Sequence, residues 1–253
     1  MRSTGIGIGA GYPGGALAPA FSDGHSVAFG GAYESITMGN VLGAQLESDQ
    51  TWSISLWVKM PPTYPTYVLI SKFQYTFFRH GLILVSGGGS LTLEISTNSG
   101  NARLTKYYGG TLPRDNTWKH VCATYTGSRT LAGMSLYVNG IYSDGGGDAV
   151  GSVVSIATTR ALYLGSADSS DYFVGNMDEV SIYSKTLSPA EVQWIYNAGH
   201  PNNLLDPAAP SNLLSWLRMG DGDTYPTILD HGPAAHNGTM IDMEAGDIVA
   251  DTP

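Results

Sequence analysis

The chain alternates large apolar and small polar residues in short runs, the period-two pattern of a half-buried strand. Trp52-Ser53-Ile54-Ser55-Leu56-Trp57-Val58-Lys59 is the plainest case. Leu91-Thr92-Leu93-Glu94-Ile95-Ser96, Val121 to Tyr125 and Met134-Ser135-Leu136-Tyr137-Val138 repeat it. Asn139-Gly140 then supplies the residue pair that tolerates positive φ in a tight hairpin turn. Strands at this spacing, without long helices between them, predict an all-β fold of antiparallel sheets packed as a sandwich. Gly87-Gly88-Gly89 and Gly145-Gly146-Gly147 read as turns between strands. One short helix is signalled near 188–198. Ser188 suits the N-cap, Pro189 the first helical position, and Glu191 completes a capping box. Val192, Ile195 and Tyr196 form its apolar face, and Gly199 marks the stop.

Beyond Pro201, Leu213-Leu214-Ser215-Trp216-Leu217-Arg218-Met219 reads as another strand, followed by the acidic turn Asp221-Gly222-Asp223. Residues 204–253, at about fifty, are too few for a comfortable independent β-domain and should pack on the rest. Residues 1–20 are rich in Gly and Ala, contain Pro13 and Pro19, and carry almost no charge. They read as an N-terminal arm, either a flexible leader or a segment ordered only against a neighbour. The expected organisation is that arm at 1–20 and one body over 21–253.

Composition narrows the class. Of 253 residues 42% are hydrophobic, which is enough for a full core and excludes disorder throughout. A net charge of −9 argues against nucleic acid as the main partner. The single cysteine, Cys122, excludes an intrachain disulfide framework, and its place in a strand pattern makes it a small buried hydrophobe. The first residues lack the apolar core of a secretory signal, and no run reaches the roughly 20 apolar residues of a membrane span. The expectation is a soluble protein made in the cytosol without a signal peptide.

Trp118-Lys119-His120-Val121, Leu136-Tyr137-Val138-Asn139-Gly140 and Gly175-Asn176-Met177-Asp178-Glu179-Val180-Ser181-Ile182-Tyr183, followed by Leu187-Ser188 and Glu191-Val192, resemble the laminin-G-like, concanavalin-A-like jelly rolls. The resemblance covers Phe21–Gly199 and implies a two-sheet antiparallel jelly-roll sandwich, in which Trp118 would anchor a strand in the core. Members of the family usually open with an element like Leu213 to Gly222, then Asp230 and Asn237-Gly238-Thr239-Met240, and only afterwards a stretch like Phe21 to Phe29. Here the opening element stands last. A circular permutation follows as the expectation, with 204–253 filling the sheet position before Phe21, in its own chain or swapped into a neighbour's. The cadence from Trp216 to Thr227, ending in Met243 to Val249, also resembles laminin-G-like structural proteins of tailed-phage virions, which implies a virion location.

A glycanase on this fold would need two carboxylates facing one another across a groove. The related laminarinase-like enzymes carry them on one strand as Glu-x-Asp-x-x-Glu, and no such run is present. Asp178 and Glu179 are adjacent, so on a regular strand they point to opposite faces and cannot cooperate. No catalytic residue is assigned, and the chain reads as a non-enzyme. His25, His80, His120, His200, His231 and His236 show no paired metal spacing. Many jelly rolls of this kind hold a structural calcium between the opening element and the Asp of the Met-Asp-Glu stretch; on that resemblance Asp178, Asp230 and Asn237 are the candidate Ca2+ ligands. Phe77-Phe78-Arg79-His80 is the most site-like cluster for a bound ligand, with rings for stacking beside polar groups.

The leading functional reading is a structural or adhesive virion component, such as a capsid-decoration or tail-associated subunit. It would work through protein surfaces against other subunits or in a homo-oligomer. The alternative is a lectin-like carbohydrate-binding module, calcium-assisted, with a host-surface glycan as partner.

Overall fold

The computed structural model describes residues 21–253 apart from 64–65, 75–78, 98–101 and 168–170. Its strands run in chain order as β1 (Ser26–Gly30), β2 (Ser35–Gly39), β3 (Trp52–Lys59), β4 (Tyr67–Gln74), β5 (His80–Gly87), β6 (Ser90–Ser96), β7 (Arg103–Tyr108) and β8 (Trp118–Tyr125). Then follow β9 (Met134–Val138), β10 (Ile141–Tyr142), β11 (Asp144–Val150), β12 (Leu162–Leu164), β13 (Val174–Tyr183), the helix α1 (Pro189–Tyr196), β14 (Leu213–Leu217), β15 (Thr227–Ile228), β16 (Gly238–Ile241) and β17 (Ile248–Val249). They form two antiparallel sheets. One is ordered β10-β9-β8-β3-β13-β1-β17 with β14 also on β13, and the other β11-β7-β6-β5-β4-β12-β2-β16-β15. This is the antiparallel sandwich that the alternating pattern predicts, in the two-layer jelly-roll form that the family resemblance implies.

The core lies between the sheets. Trp52, Ile54, Leu56 and Val58 point inward from β3 and are fully buried, as are Leu91, Leu93 and Ile95 from β6. Each such aliphatic side chain contributes about 1.5–3 kcal/mol through the water it leaves. The other face of the eight-stranded sheet is also apolar. There Cys122, Tyr137, Tyr183 and Trp216 are roofed by Val192 and Ile195 of α1 and by Leu204. Burial raises the Cys122 thiol far above its ordinary range, so it is an inert core group.

Helix α1 begins as its sequence dictates. Ser188 Oγ accepts the Glu191 N–H, and the Glu191 carboxylate accepts the Ser188 N–H. Its end differs: Asn197, in the left-handed region at φ 43°, caps it before Gly199 is reached. Asn139 and Gly140, with φ of 49° and 72°, make the expected hairpin turn.

Residues beyond Pro210 contribute to both layers. β14 pairs with β13, β16 with β2, and β17 with β1. Two local readings are corrected. Gly145-Gly146-Gly147 belongs to the edge strand β11, and glycine is needed because a Cβ on Gly147 would meet the Thr105 carbonyl oxygen at 2.3 Å. Trp118 is half-buried at the surface rather than a core anchor, and its indole N–H donates to Asp251 at 3.2 Å.

Candidate functional site

Two places gather polar chemistry. The first is on the outer face of the eight-stranded sheet, at the middle of β13. One edge of β13 is shared end to end: β1 pairs with Val174–Met177, and β14 with Val180–Tyr183. Asp178 and Glu179 fall in the gap between those partners. On the opposite edge the register with β3 shifts between Asp178 and Ser181, a β-bulge, and Glu179 takes φ 49°. The bulge overturns the expectation that adjacent carboxylates diverge. Asp178 and Glu179 converge with Asp23, each offering an oxygen within 4.8 Å of the others.

These groups are deeply set. Asp178 is fully buried and Glu179 nearly so. Asp178 Oδ1 accepts the Glu179 N–H at 2.7 Å, while Asp178 Oδ2 and both Asp23 carboxyl oxygens are buried without a hydrogen-bond partner. Glu179 accepts from the Trp216 indole and from Arg218 Nε at 3.4 Å. Burial, then the negative neighbours, holds all three acids in the protonated direction: Asp23 is pushed up to about 6, Glu179 to about 8, and Asp178 well above its ordinary value. Buried carboxylate oxygens without a hydrogen-bond partner are the type of donor that a hard cation such as calcium takes.

Of the three residues expected to hold calcium, Asp178 is in this group. Asp230 and Asn237 are engaged elsewhere. Asp230 Oδ1 accepts the N–H groups of Trp216 and Gly232, and Oδ2 that of His236. Asn237 Oδ1 accepts the Asp230 N–H. These bonds saturate Asp230 and knit the turn after β14 to the sheet. Asp23 and Glu179 carried no sequence signal: one precedes a strand, and the other shows its face only through the bulge.

The second place is a cavity of about 250 Å³ on the outer face of the nine-stranded sheet. Phe73, Ile83 and Val85 form its apolar floor, with Thr66, Thr92, Arg79, Glu94 and Asp171 around it. The cross-strand pairs Ile83–Glu94 and Val85–Thr92 set these side chains side by side. Glu94 is 8% exposed and pairs with Arg79 at 3.1 Å. Burial raises its carboxyl pKa, opposed by Arg79 and Arg103. Of the expected ligand cluster, Arg79 lines this cavity and His80 begins β5 outside its wall, while Phe77 and Phe78 lie outside the described residues. A wider groove of about 540 Å³ along 204–213 and 231–233 is walled mainly by Leu, Pro and Ala and offers fewer directed polar groups.

The fold is a two-sheet jelly roll of the concanavalin A-like type. The chain belongs to the concanavalin A-like lectin/glucanases superfamily, whose laminin-G model matches residues 30–193, more than half of its length. No curated protein has a significantly similar sequence. Among solved structures, the chain is similar to a candidate carbohydrate-binding protein from Bacteroides ovatus, with TM-score 0.59 and 17% identity over 87% of this chain and 58% of that one. It is also similar to the sialidase CBM40 of Ruminococcus gnavus bound to sialyllactose (TM-score 0.53, 12% identity, 68% and 96% covered). A third likeness is to a heptameric SAP-like pentraxin of Limulus polyphemus (TM-score 0.50, 16% identity, 69% and 82% covered). At these identities the likeness is one of fold. Among the described residues, no helix is long and apolar enough to cross a membrane.

Proposed function

We propose that the protein is a non-enzymatic carbohydrate-binding module whose sugar seat is the cavity over Phe73, Ile83 and Val85. The carrying observation is the buried Glu94 carboxylate set against Arg79 on an apolar floor. A pyranose has an apolar face that fits such a floor, and adjacent hydroxyls that a carboxylate and a guanidinium bind from either side. A glycosidase would need Glu94 and Asp171, the two acids of this wall, to work as a pair across the scissile bond. The ion pair to Arg79 commits Glu94 to positioning instead. That carbohydrate-binding folds stand among the structural neighbours supports the same reading.

The test is a glycan array followed by calorimetry on the hits. Arg79→Ala and Glu94→Gln should each weaken binding tenfold or more, about 1.4 kcal/mol, without hydrolysis of the bound sugar. A folded protein that binds nothing on the array, or binding that both variants leave intact, would refute the proposal.

One observation favours a second reading, an adhesive subunit of a phage virion. Strands β10 and β11, consecutive in the chain, form an edge of each sheet, and they and the stretch just after them expose Ile141 (61%), Tyr142, Val150 and Val154 (62%). A discrete oligomer at micromolar concentration that Ile141→Asp dissolves would support it, and a monomer would count against it.

A further inference from the structure

We infer that the ring pair Tyr33–Tyr172 is a second sugar subsite, so that the module grips a glycan chain of at least two units, one in the cavity and another on the rings. The inference rests on the sugar-seat reading and adds the length of the ligand to it.

The cavity floor leads toward these rings. Phe73, Ile83 and Val85 belong to an apolar cluster that also takes in Val68 of β4 and Ala167, just beyond β12. Val68 donates its N–H to the Asp171 carbonyl oxygen at 3.1 Å, and Asp171 lines the cavity. Tyr172 is the next residue, about 3.8 Å further along the chain. Its ring meets that of Tyr33 edge to face, with centroids 5.3 Å apart and planes inclined at 64°. Tyr33 comes from the connection between β1 and β2, so two distant segments build the pair.

The rings are held in place but left open. Tyr33 is 66% exposed, the most exposed large hydrophobic side chain among the described residues. It also keeps φ 69°, a region that bulky residues rarely take and that tends to persist where function retains it. Its connection is pinned on both sides of the ring. Glu34 accepts the Gly30 N–H, and Gly31, at φ 90°, lies so close to Val174 that a Cβ would meet its Cγ2 at 2.5 Å. Tyr172 sits between Asp171, bonded to β4, and the fully buried Phe173, whose N–H donates to the Gly165 carbonyl oxygen at 2.8 Å. Rings fixed in advance lose little freedom when a ligand settles on them. Burial first, then Tyr33 and the charge of Asp242, raise the Tyr172 hydroxyl, which puts the exposed Asp242 carboxylate within reach of the same ligand unit. A pyranose offers its C–H face to the open Tyr33 ring and its hydroxyls to that carboxylate, the same pairing of apolar surface and acid that the cavity presents.

The experiment uses the full chain on a printed array that carries each sugar singly and in linear chains. Calorimetry follows with the strongest-binding chain and with the methyl glycosides of its individual units. The chain should bind about tenfold more tightly than any single unit. Tyr33→Asn, which removes the ring but accepts positive φ, should abolish that gain and leave the single units as they were, whereas Tyr33→Phe should keep it. Arg79→Ala should weaken chain and single units alike. Hydrogen exchange of the peptide covering 31–35 should slow with the chain and not with single units. Equal affinity for chain and single unit overturns the subsite while the seat stands, as does a Tyr33→Asn variant that binds the chain like the wild type or weakens single units equally. An oligomer that Tyr33→Asn dissociates would make the rings a protein contact and overturns it as well. Binding that Arg79→Ala and Glu94→Gln both leave intact overturns the seat itself, and the subsite with it.

Discussion

Acidification below pH 6.5 puts a proton on the unfolded chain's His120 well before the folded protein accepts one. His120 is fully buried on β8, with its ring 5.3 Å from that of Trp57 and 5.9 Å from that of Tyr196. Its Nε2 is 2.7 Å from Ser55 Oγ, its Nδ1 has no partner, and burial pushes its pKa down to about 3. Between pH 6.5 and 3 the unfolded state therefore binds more protons, and stability falls as pH falls. The loss approaches about 1.4 kcal/mol per pH unit, or roughly 2.7 kcal/mol by pH 4.5, a large share of a typical 5–15 kcal/mol. Asp23, Asp178 and Glu179, with raised pKa values, push in the opposite direction over the same range. The comparison is accordingly with His120→Phe, which keeps a ring between Trp57 and Tyr196 and cannot titrate. Urea unfolding followed by tryptophan fluorescence at pH 7.5, 6.5, 5.5 and 4.5 should give curves that diverge steadily, the wild type losing about 2.7 kcal/mol more than the variant by pH 4.5. Parallel losses would refute the reasoning, since they would mean that the folded ring can be protonated where it stands.

Lys72 offers the converse test. It is buried, donates to Asn40 Oδ1 and the Arg160 carbonyl oxygen, and burial lowers its pKa to about 8. The unfolded chain holds that proton to higher pH, so stability should rise between pH 8 and 9.5 by about 2 kcal/mol, and K72M should lack the rise in the same urea series. Above that range the tyrosines whose pKa values burial raises, Tyr125, Tyr137 and Tyr183, oppose it. Trp216→Ala removes a fully enclosed ring and the donor to Glu179, and should cost about 3–5 kcal/mol with faster exchange in 213–217. A cost below 1 kcal/mol would show that β14 does not depend on that ring.

The local patterns were read correctly where neighbouring residues in sequence are also neighbours in physics. The alternation in β3, β6 and β9, the hairpin at Asn139-Gly140 and the capping box at Ser188 each rest on forces acting within a few residues. The sandwich class followed from them, and of the cluster Phe77-Phe78-Arg79-His80 marked in the sequence Arg79 lines the cavity. The acidic site was not legible in the same way. A strict period of two sends Asp178 and Glu179 to opposite faces, and only the bulge forced by fitting β13 between β3 on one edge and β1 with β14 on the other turns them together. Glu94 looked like an ordinary outward polar residue until cross-strand pairing with Ile83 set it over an apolar floor beside Arg79. Asp23 meets Asp178 across more than 150 residues of chain, and Asp230 spends its oxygens on backbone N–H groups that only the folded turn presents. Sequence periodicity sets which side of a strand a residue prefers, whereas register, bulges and long-range pairing set what it finds there.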